Sequence, residues 1–430
     1  MKRIVQQAAI VAAVAGAFGL AQAQAPAPAA TPAPAAAPTQ PAAPPAWKQG
    51  QPDSMKSSPL APHAPKLTET AVADIPLSKF KVPAGFKLEV WASGMPGARM
   101  MARGDKGKVY VGTRAIGRVY EITDKGDKRE SRILVDKLTQ PNGVAFRNGS
   151  LYVVSIGKAL RYDGIEDNPA AQPVDFSDKV QYGKETHHQW KFIAFGPDGK
   201  LYIPFGAPCN ICTPPEGYAQ LRRYNADGSG MEVVATGIRN TVGFDWDSKG
   251  DLWFTDNGRD WAGDAKFDDE LNHVTKAGQN FGFPYCHSNG TVDPEIKKDK
   301  ACEGVTLPAV SMGEHTAALG MRFYKGSMFP AEYKGAMFIA RHGSWNRTKL
   351  AGYDVVVARA SADGKSAKVT PFLTGMMDAK ENKFFGRPTD VMLMPDGSIL
   401  VSDEQNGAIY RISYAGKPKA APAKDGKTKA

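Results

Sequence analysis

Glu185-Thr-His-His-Gln-Trp-Lys-Phe-Ile-Ala-Phe-Gly-Pro-Asp-Gly-Lys-Leu-Tyr-Ile-Pro-Phe205 reads as a β-hairpin entered past two histidines. Two apolar runs, Phe192–Phe195 and Leu201–Phe205, flank the turn Gly196-Pro-Asp-Gly199. Asp-Gly between such runs is a strong hairpin signal, because Gly accepts the positive φ that a tight turn needs. His187 and His188 stand just before the opening strand. In a ring of hairpins, that is where loops empty into a shared central cavity.

The same unit recurs on both sides of this stretch. Gly104-Asp-Lys-Gly-Lys-Val-Tyr-Val and Arg147-Asn-Gly-Ser-Leu-Tyr-Val-Val precede it. Asp247-Ser-Lys-Gly-Asp-Leu-Trp-Phe, Tyr333-Lys-Gly-Ala-Met-Phe-Ile-Ala and Met394-Pro-Asp-Gly-Ser-Ile-Leu-Val follow it. The turn glycines Gly107, Gly149, Gly199, Gly250, Gly335 and Gly397 are spaced by 42, 50, 51, 85 and 62 residues. A four-stranded propeller blade takes about 40–50 residues, so the steps are blade-sized with insertions, the largest between Gly250 and Gly335. The pattern predicts an all-β, six-bladed β-propeller. A sandwich or β-solenoid would not leave such long, chemically rich loops between hairpins. Phe86-Lys-Leu-Glu-Val-Trp-Ala92 is placed to close the ring against the last blade.

Outside the repeat the chain changes character. Residues 1–25, with Lys2 and Arg3, an apolar segment and small residues suited to cleavage, read as a secretory signal peptide. Residues 26–65 form an Ala/Pro-rich linker, 66–414 the propeller domain and 415–430 a Lys-rich basic tail. A periplasmic location is therefore expected. No later apolar run is long enough to span a bilayer. The formal charge of +10 suits an anionic ligand, but no basic helix or aromatic-interleaved basic stripe points to nucleic acid.

The chain has four cysteines, Cys209, Cys212, Cys286 and Cys302. An exported chain oxidises them, and spacing favours Cys209–Cys212 and Cys286–Cys302. Cys209-Asn-Ile-Cys212 is followed by Thr213 rather than the His of a c-type haem site. A zinc site with His287 is disfavoured by an oxidising compartment.

Polar residues at one phase of the repeat collect around the predicted channel. They are Gln140 and Asn142, His187 and His188, Arg239 and Asn240, His315 and Thr316, and Arg387 and Thr389. A pocket rich in Arg, His and Asn suits a polyanionic ligand with hydroxyl groups beside it. Of the two adjacent histidines, an extended backbone turns only one toward the channel; spacing to the Gly196–Gly199 turn selects His188, which leaves His187 to pack or hydrogen-bond between blades.

From about Pro83 to Tyr414 the chain resembles the soluble quinoprotein sugar dehydrogenases, the glucose/sorbosone and pyranose dehydrogenase group. The motifs are His188-Gln followed by Phe-Gly-Pro-Asp-Gly, Gly237-Ile-Arg-Asn, Asp256-Asn-Gly-Arg, Asp268-Asp-Glu-Leu-Asn, Gly278-Gln-Asn-Phe-Gly-Phe-Pro, His342-Gly-Ser-Trp-Asn-Arg and Arg387-Pro-Thr-Asp-Val. The resemblance implies pyrroloquinoline quinone (PQQ) held over Ca2+ and oxidation of an aldose or sorbosone-like sugar. An external acceptor, a cytochrome or quinone, would take the electrons. It implies His188 as general base, Arg239, Asn240 and Arg387 on the cofactor, and the carbonyls of Gly258 and Arg259 on calcium. Gln140 and Asn142 join the cofactor set, and His315 and Thr316 the substrate side. Thr389 stands where glucose-oxidising members carry a second Arg, and Arg341 or Arg347 takes the place of an expected Lys. The rival reading is a calcium-dependent lactonase propeller, which needs inward carboxylate ligands around its metal.

Overall fold

A computed structural model describes residues 45–183 and 185–416. The expected signal segment, the linker as far as residue 44 and all but the first two residues of the basic tail lie outside the described residues. Six four-stranded antiparallel units form the β-propeller; the one in blade 3 carries a fifth strand. The first strands of the six blades are Ala98–Arg103, Gly143–Arg147, Ala194–Phe195, Phe244–Trp246, Ala318–Phe323 and Pro388–Leu393. In every blade one of the six repeat glycines turns the first strand into the second, with φ between 75° and 94°. Side chains would be strained there.

The second strands explain why the repeat reads as apolar runs rather than as alternation. Val109–Thr113, Leu201–Phe205, Leu252–Asp256 and Ile399–Asp403 are buried at every residue. Neighbouring blades cover both of their faces, so both sets of side chains leave water. Each buried Val, Leu or Phe contributes about 1.5–3 kcal/mol to holding adjacent blades together. The outer strand Arg129–Val135 of blade 1 is covered on one side and is correspondingly charged.

Blade 6 is completed by the start of the chain. Phe86–Ala92 pairs antiparallel with Ala408–Tyr414, from Phe86 opposite Tyr414 to Ala92 opposite Ile409, as the sequence suggests. Phe86 then packs edge-on against Phe329, Phe372 and Tyr414.

The long step after Gly250 is an insertion between the third strand of blade 4, Asp268–Val274, and the fourth, Val310–Glu314. Its segment Gln279–Asn280 reaches across to blade 3 and pairs in parallel with Glu232–Thr236. Both expected disulfides form, Cys209–Cys212 and Cys286–Cys302, the second inside this insertion. Among the described residues no helix is long and apolar enough to cross a membrane.

The stretch read as linker is described from Pro45 onward, and there it lies on the propeller. Trp47 packs against Trp261 and Trp345, with ring centroids 6.2 and 5.7 Å away. Its carbonyl accepts the Trp261 indole N–H. Gln49 takes two hydrogen bonds from Asn210, and His63 Nε2 lies 3.0 Å from the Ser344 carbonyl oxygen and 2.9 Å from the Tyr353 hydroxyl. The Ala/Pro composition hides these few anchoring side chains.

Candidate active site

A cavity of about 510 Å3 opens at one end of the ring. Its wall has a simple origin in the repeat: each blade contributes residues just before its first strand, or just after its second. Gln140, His187, His188, Trp190, Arg239, Asn240, His315 and Arg387 are of the first kind. Arg114, Asn257, Gly258, Asp260, His342 and Glu404 are of the second. The N-terminal stretch adds Trp47 and residues 61–66 as a strap along the rim.

His188 is buried, and its Nδ1 lies 2.9 Å from the Ala207 carbonyl oxygen. A carbonyl can only accept, so Nδ1 carries the proton and Nε2 carries the lone pair. Burial, then His187 and Arg239, hold the His188 pKa well below its ordinary value, so the ring is neutral at pH 7. His187 faces the same cavity, with its ring centroid 3.9 Å from that of His188. The expected division of the two is thus corrected. His188 has φ 52°, in a turn, and the alternation of an extended strand does not apply.

Arg239 and Asn240 are anchored through their backbone by Asp256, whose carboxylate accepts both N–H groups at 2.8 and 2.6 Å. The Arg239 guanidinium is spoken for: it donates to the Asn210 carbonyl and side chain, the Asn257 carbonyl and Asp260. Arg387 donates to His342 Nδ1 at 3.0 Å, and His342 Nε2 stands 2.7 Å from Glu404, which also pairs with Arg99 at 2.9 Å. Burial opposes charge on Glu404, yet Arg99 and His342 hold its pKa well below the carboxylate range.

Arg114 differs from these. Its guanidinium lies 3.9 Å over the Trp190 ring, and among the described residues it has no hydrogen-bond or ion-pair partner. Burial and the nearby Arg99 lower its pKa to about 10, which leaves it charged at neutral pH.

Several expected site residues do not reach the cavity wall. Asn142 is buried behind it, accepting from Arg99 Nε at 2.7 Å and donating to the Lys191 carbonyl. Thr389 is buried within the first strand of blade 6 and bonds Ser402 and the Ala98 carbonyl. Arg341 turns away to a two-point pair with Asp354, and Arg347 to Glu314, so neither stands in for the expected Lys; His342 lines the wall at that place instead. Thr316 sits behind His315 and donates to Asp269 at 3.0 Å. Gly258 lines the cavity, and its N–H donates to Asp269 at 2.9 Å, whereas the Arg259 guanidinium is drawn outward to Asp293 and Glu295. Burial opposes a charge on His315, but Asp260 overrides it and raises the pKa.

The wall therefore presents five cationic side chains, Lys66, Arg99, Arg114, Arg239 and Arg387, against the carboxylates of Asp260, Asp269 and Glu404. A small polyanion with ring character fits this balance, with Trp190 and Arg114 offering a flat, charged contact.

Residues 172–411 match the family model for glucose/sorbosone dehydrogenases. The chain belongs to the glucose/sorbosone dehydrogenase family. An uncharacterised protein of Borreliella burgdorferi is 29% identical over 359 residues, covering 80% of this chain and 93% of that protein. A PQQ-dependent pyranose dehydrogenase of Coprinopsis cinerea is 24% identical over 287 residues, covering 53% of this chain and 38% of the relative. The solved PQQ domain of a Coprinopsis cinerea pyranose dehydrogenase superimposes with TM-score 0.63 at 19% identity, covering 78% of this chain and 97% of that domain. A PQQ-bound aldose sugar dehydrogenase of Streptomyces coelicolor gives 0.56 at 18%, covering 77% and 99%. These likenesses support the six-bladed fold of this family member.

Proposed function

We propose that the chain is a PQQ- and calcium-dependent dehydrogenase of an aldose or a related, sorbosone-like sugar, acting in the periplasm and passing electrons to an external acceptor. The observation that carries this reading is the His188 imidazole, held neutral with its lone-pair nitrogen uncommitted at the wall of a net-cationic cavity.

The residues present suit such a cofactor. Arg114 and Arg387 would pair with its carboxylates, Asn240 and Gln140 would hydrogen-bond its polar edge, and the Gly258 and Arg259 carbonyls would face the calcium. Gln140 Oε1 is enclosed without a hydrogen-bond partner among the described residues, as expected of a group awaiting one. When bound, PQQ would supply the hydride acceptor and calcium the positive charge beside it. The protein's own part is positional and protic. His188 Nε2 accepts the proton of the reacting hydroxyl, while Nδ1–H stays on Ala207 and fixes the ring plane. The Arg387–His342–Glu404–Arg99 chain is preformed, so the guanidinium needs no reorganisation when negative charge develops nearby. A lactonase arrangement is disfavoured, because Glu404 is committed to Arg99 and His342 and Asp269 to Gly258 and Thr316.

The test is reconstitution. Purified protein given Ca2+ and PQQ should reduce an artificial dye in the presence of aldoses, and His188→Ala should bind PQQ yet fail to turn over. Lactone hydrolysis without PQQ would replace this reading with the hydrolase.

A further inference from the structure

At the end of blade 4 remote from the cavity, the turn Asp247-Ser-Lys-Gly-Asp251 joins Phe244–Trp246 to Leu252–Asp256. Cavity residues Asn240 and Asn257 flank the opposite ends of the same two strands. Asp247 Oδ1 accepts the backbone N–H groups of Lys249 and Asp251 at 2.8 and 3.0 Å, which fixes that carboxylate within the turn. On the third strand His273 pairs opposite Trp253, and its ring stacks on the indole with centroids 4.1 Å apart and planes 13° from parallel. One ligand atom from each of Asp247, Asp251 and His273 lies within 4.8 Å of the other two.

The atom that gives this cluster a purpose is His273 Nε2. Nδ1 lies 3.1 Å from the carbonyl oxygen of Gly364, in the turn of blade 5, and a carbonyl only accepts. Nδ1 therefore donates, and Nε2 is the nitrogen left to offer a lone pair to a metal ion. That nitrogen is closed off from solvent and has no hydrogen-bond partner among the described residues, with Asp251 Oδ2 3.5 Å away. Of the three side chains only His273 presents an enclosed nitrogen without a partner. Asp247 Oδ1 takes the two turn N–H groups, its Oδ2 lies 3.4 Å from the Trp253 indole nitrogen that donates to it, and Asp251 is partly open to water. The backbone that fixes the tautomer is itself specialised: Gly364 has φ +69°, and a Cβ there would fall 2.5 Å from His273 Cε1 and 2.6 Å from Nδ1. Only glycine lets this carbonyl approach. Outer-shell contacts of this kind orient metal-binding histidines.

We propose that Asp247, Asp251 and His273 form a binding site for a divalent transition-metal ion of the zinc type. Calcium and magnesium select all-oxygen ligand sets, whereas one imidazole nitrogen with two carboxylate oxygens suits zinc and its neighbours. The Asp251 side chain is 36% exposed, which leaves room for water to complete the shell. Through His273 and Gly364 the ion ties blade 4 to blade 5, and Lys249 adds a second contact to the same turn at the Ala362 carbonyl. The role is structural, and it stands independently of the dehydrogenase reading.

The experiment uses the full chain, stripped of metal by chelation and resupplied with Ca2+ and PQQ. Zinc chloride is then titrated by calorimetry, and melting is followed with and without zinc. The expected result is tight uptake of one zinc ion with a raised melting temperature. Asp251→Asn should melt like wild type without zinc, lose the zinc-dependent rise and bind at least about tenfold more weakly. His273→Gln should melt lower than wild type without zinc, because it loses the Trp253 stack, and should likewise lose the zinc-dependent rise. His188→Ala should keep the rise, which separates this site from the cavity histidines. Absence of zinc uptake by wild type, or an equal zinc response in Asp251→Asn, overturns the proposal.

Discussion

Asp256 holds Asn240 by its backbone: the carboxylate accepts the Asn240 N–H at 2.6 Å, and its other oxygen takes the neighbouring N–H of Arg239. The anchor is itself buried beside Asp269 and Glu270, and burial pushes all three carboxyls upward. A carboxyl whose folded pKa is raised binds more protons folded than unfolded between the two values. Stability is then lost as pH rises across that interval. The cavity histidines His187 and His342, lowered to about 4 and about 3, act in the opposite sense below the ordinary histidine value. Above pH of about 6.5 the acids dominate. With Asp256 raised to about 7 and Glu270 to about 8, cofactor-free protein should lose stability from there to about pH 8 and no further, and Glu270→Gln should reduce that loss by about 1–2 kcal/mol. Urea melts at several pH values check this; parallel curves for the two proteins would contradict it.

Arg114 and Arg239 should fail in different ways. Arg114 stacks on Trp190 without an ionic partner, so Arg114→Ala should weaken PQQ binding by about 1.5–3 kcal/mol with little change in melting. Arg239 is knitted to Asn210, Asn257 and Asp260, so Arg239→Ala should cost stability as well as affinity. Fluorescence titration with PQQ, beside thermal melts, separates the two. Wild-type affinity in Arg114→Ala would remove it from the cofactor's surroundings.

His188→Ala should lower turnover by about 10²–10⁴-fold while PQQ still binds. Because burial keeps the His188 ring neutral, the acid limb of kcat/KM should lie well below the ordinary histidine range. His187 lines the same cavity, so His187→Ala should alter PQQ affinity more than melting temperature. An acid limb near pH of about 6.5 would point to a different base.

The two disulfides should separate by role. Cys286–Cys302 closes a 16-residue interval, and its removal should cost about 3 kcal/mol. Cys209–Cys212 closes only three, yet it flanks Asn210, which bonds both Arg239 and the strap residue Gln49. Cys209→Ser with Cys212→Ser should therefore weaken PQQ binding and raise the protease sensitivity of the strap, with a smaller drop in melting temperature. Limited proteolysis and PQQ titration read both effects. An unchanged strap and unchanged affinity would leave Asn210 placed by other contacts.

The repeat was legible because its turns need glycine and its second strands are buried on both faces; each leaves a mark in local sequence. The cavity was legible by half. Gln140, His188, Arg239, Asn240, His315 and Arg387 precede first strands, where polar residues stand out against the apolar runs that follow. Arg114, Asn257, Asp260 and Glu404 follow second strands, a phase of the same repeat that carries its own polar signal. Thr389 and Asn142 were misplaced by a residue or two of phase, which in a strand or its approach is enough to turn a side chain from the channel into the wall. Arg341 and Arg347 were drawn away by Asp354 and Glu314, partners distant enough in sequence that only the folded chain brings them together.

The pairing of Phe86–Ala92 with Ala408–Tyr414 also fixes the order in which the molecule can be finished. A chain made from its N-terminus holds its latch strand first and that strand's partner last. Five blades can pack before the ring has anything to close on. Bringing such distant segments together is slow, and until then the open flanks expose a strand edge and apolar blade faces. The slow step of folding and the moment of greatest aggregation hazard are the same event. A chain ending before Ala408 would carry that hazard permanently, with every other blade intact.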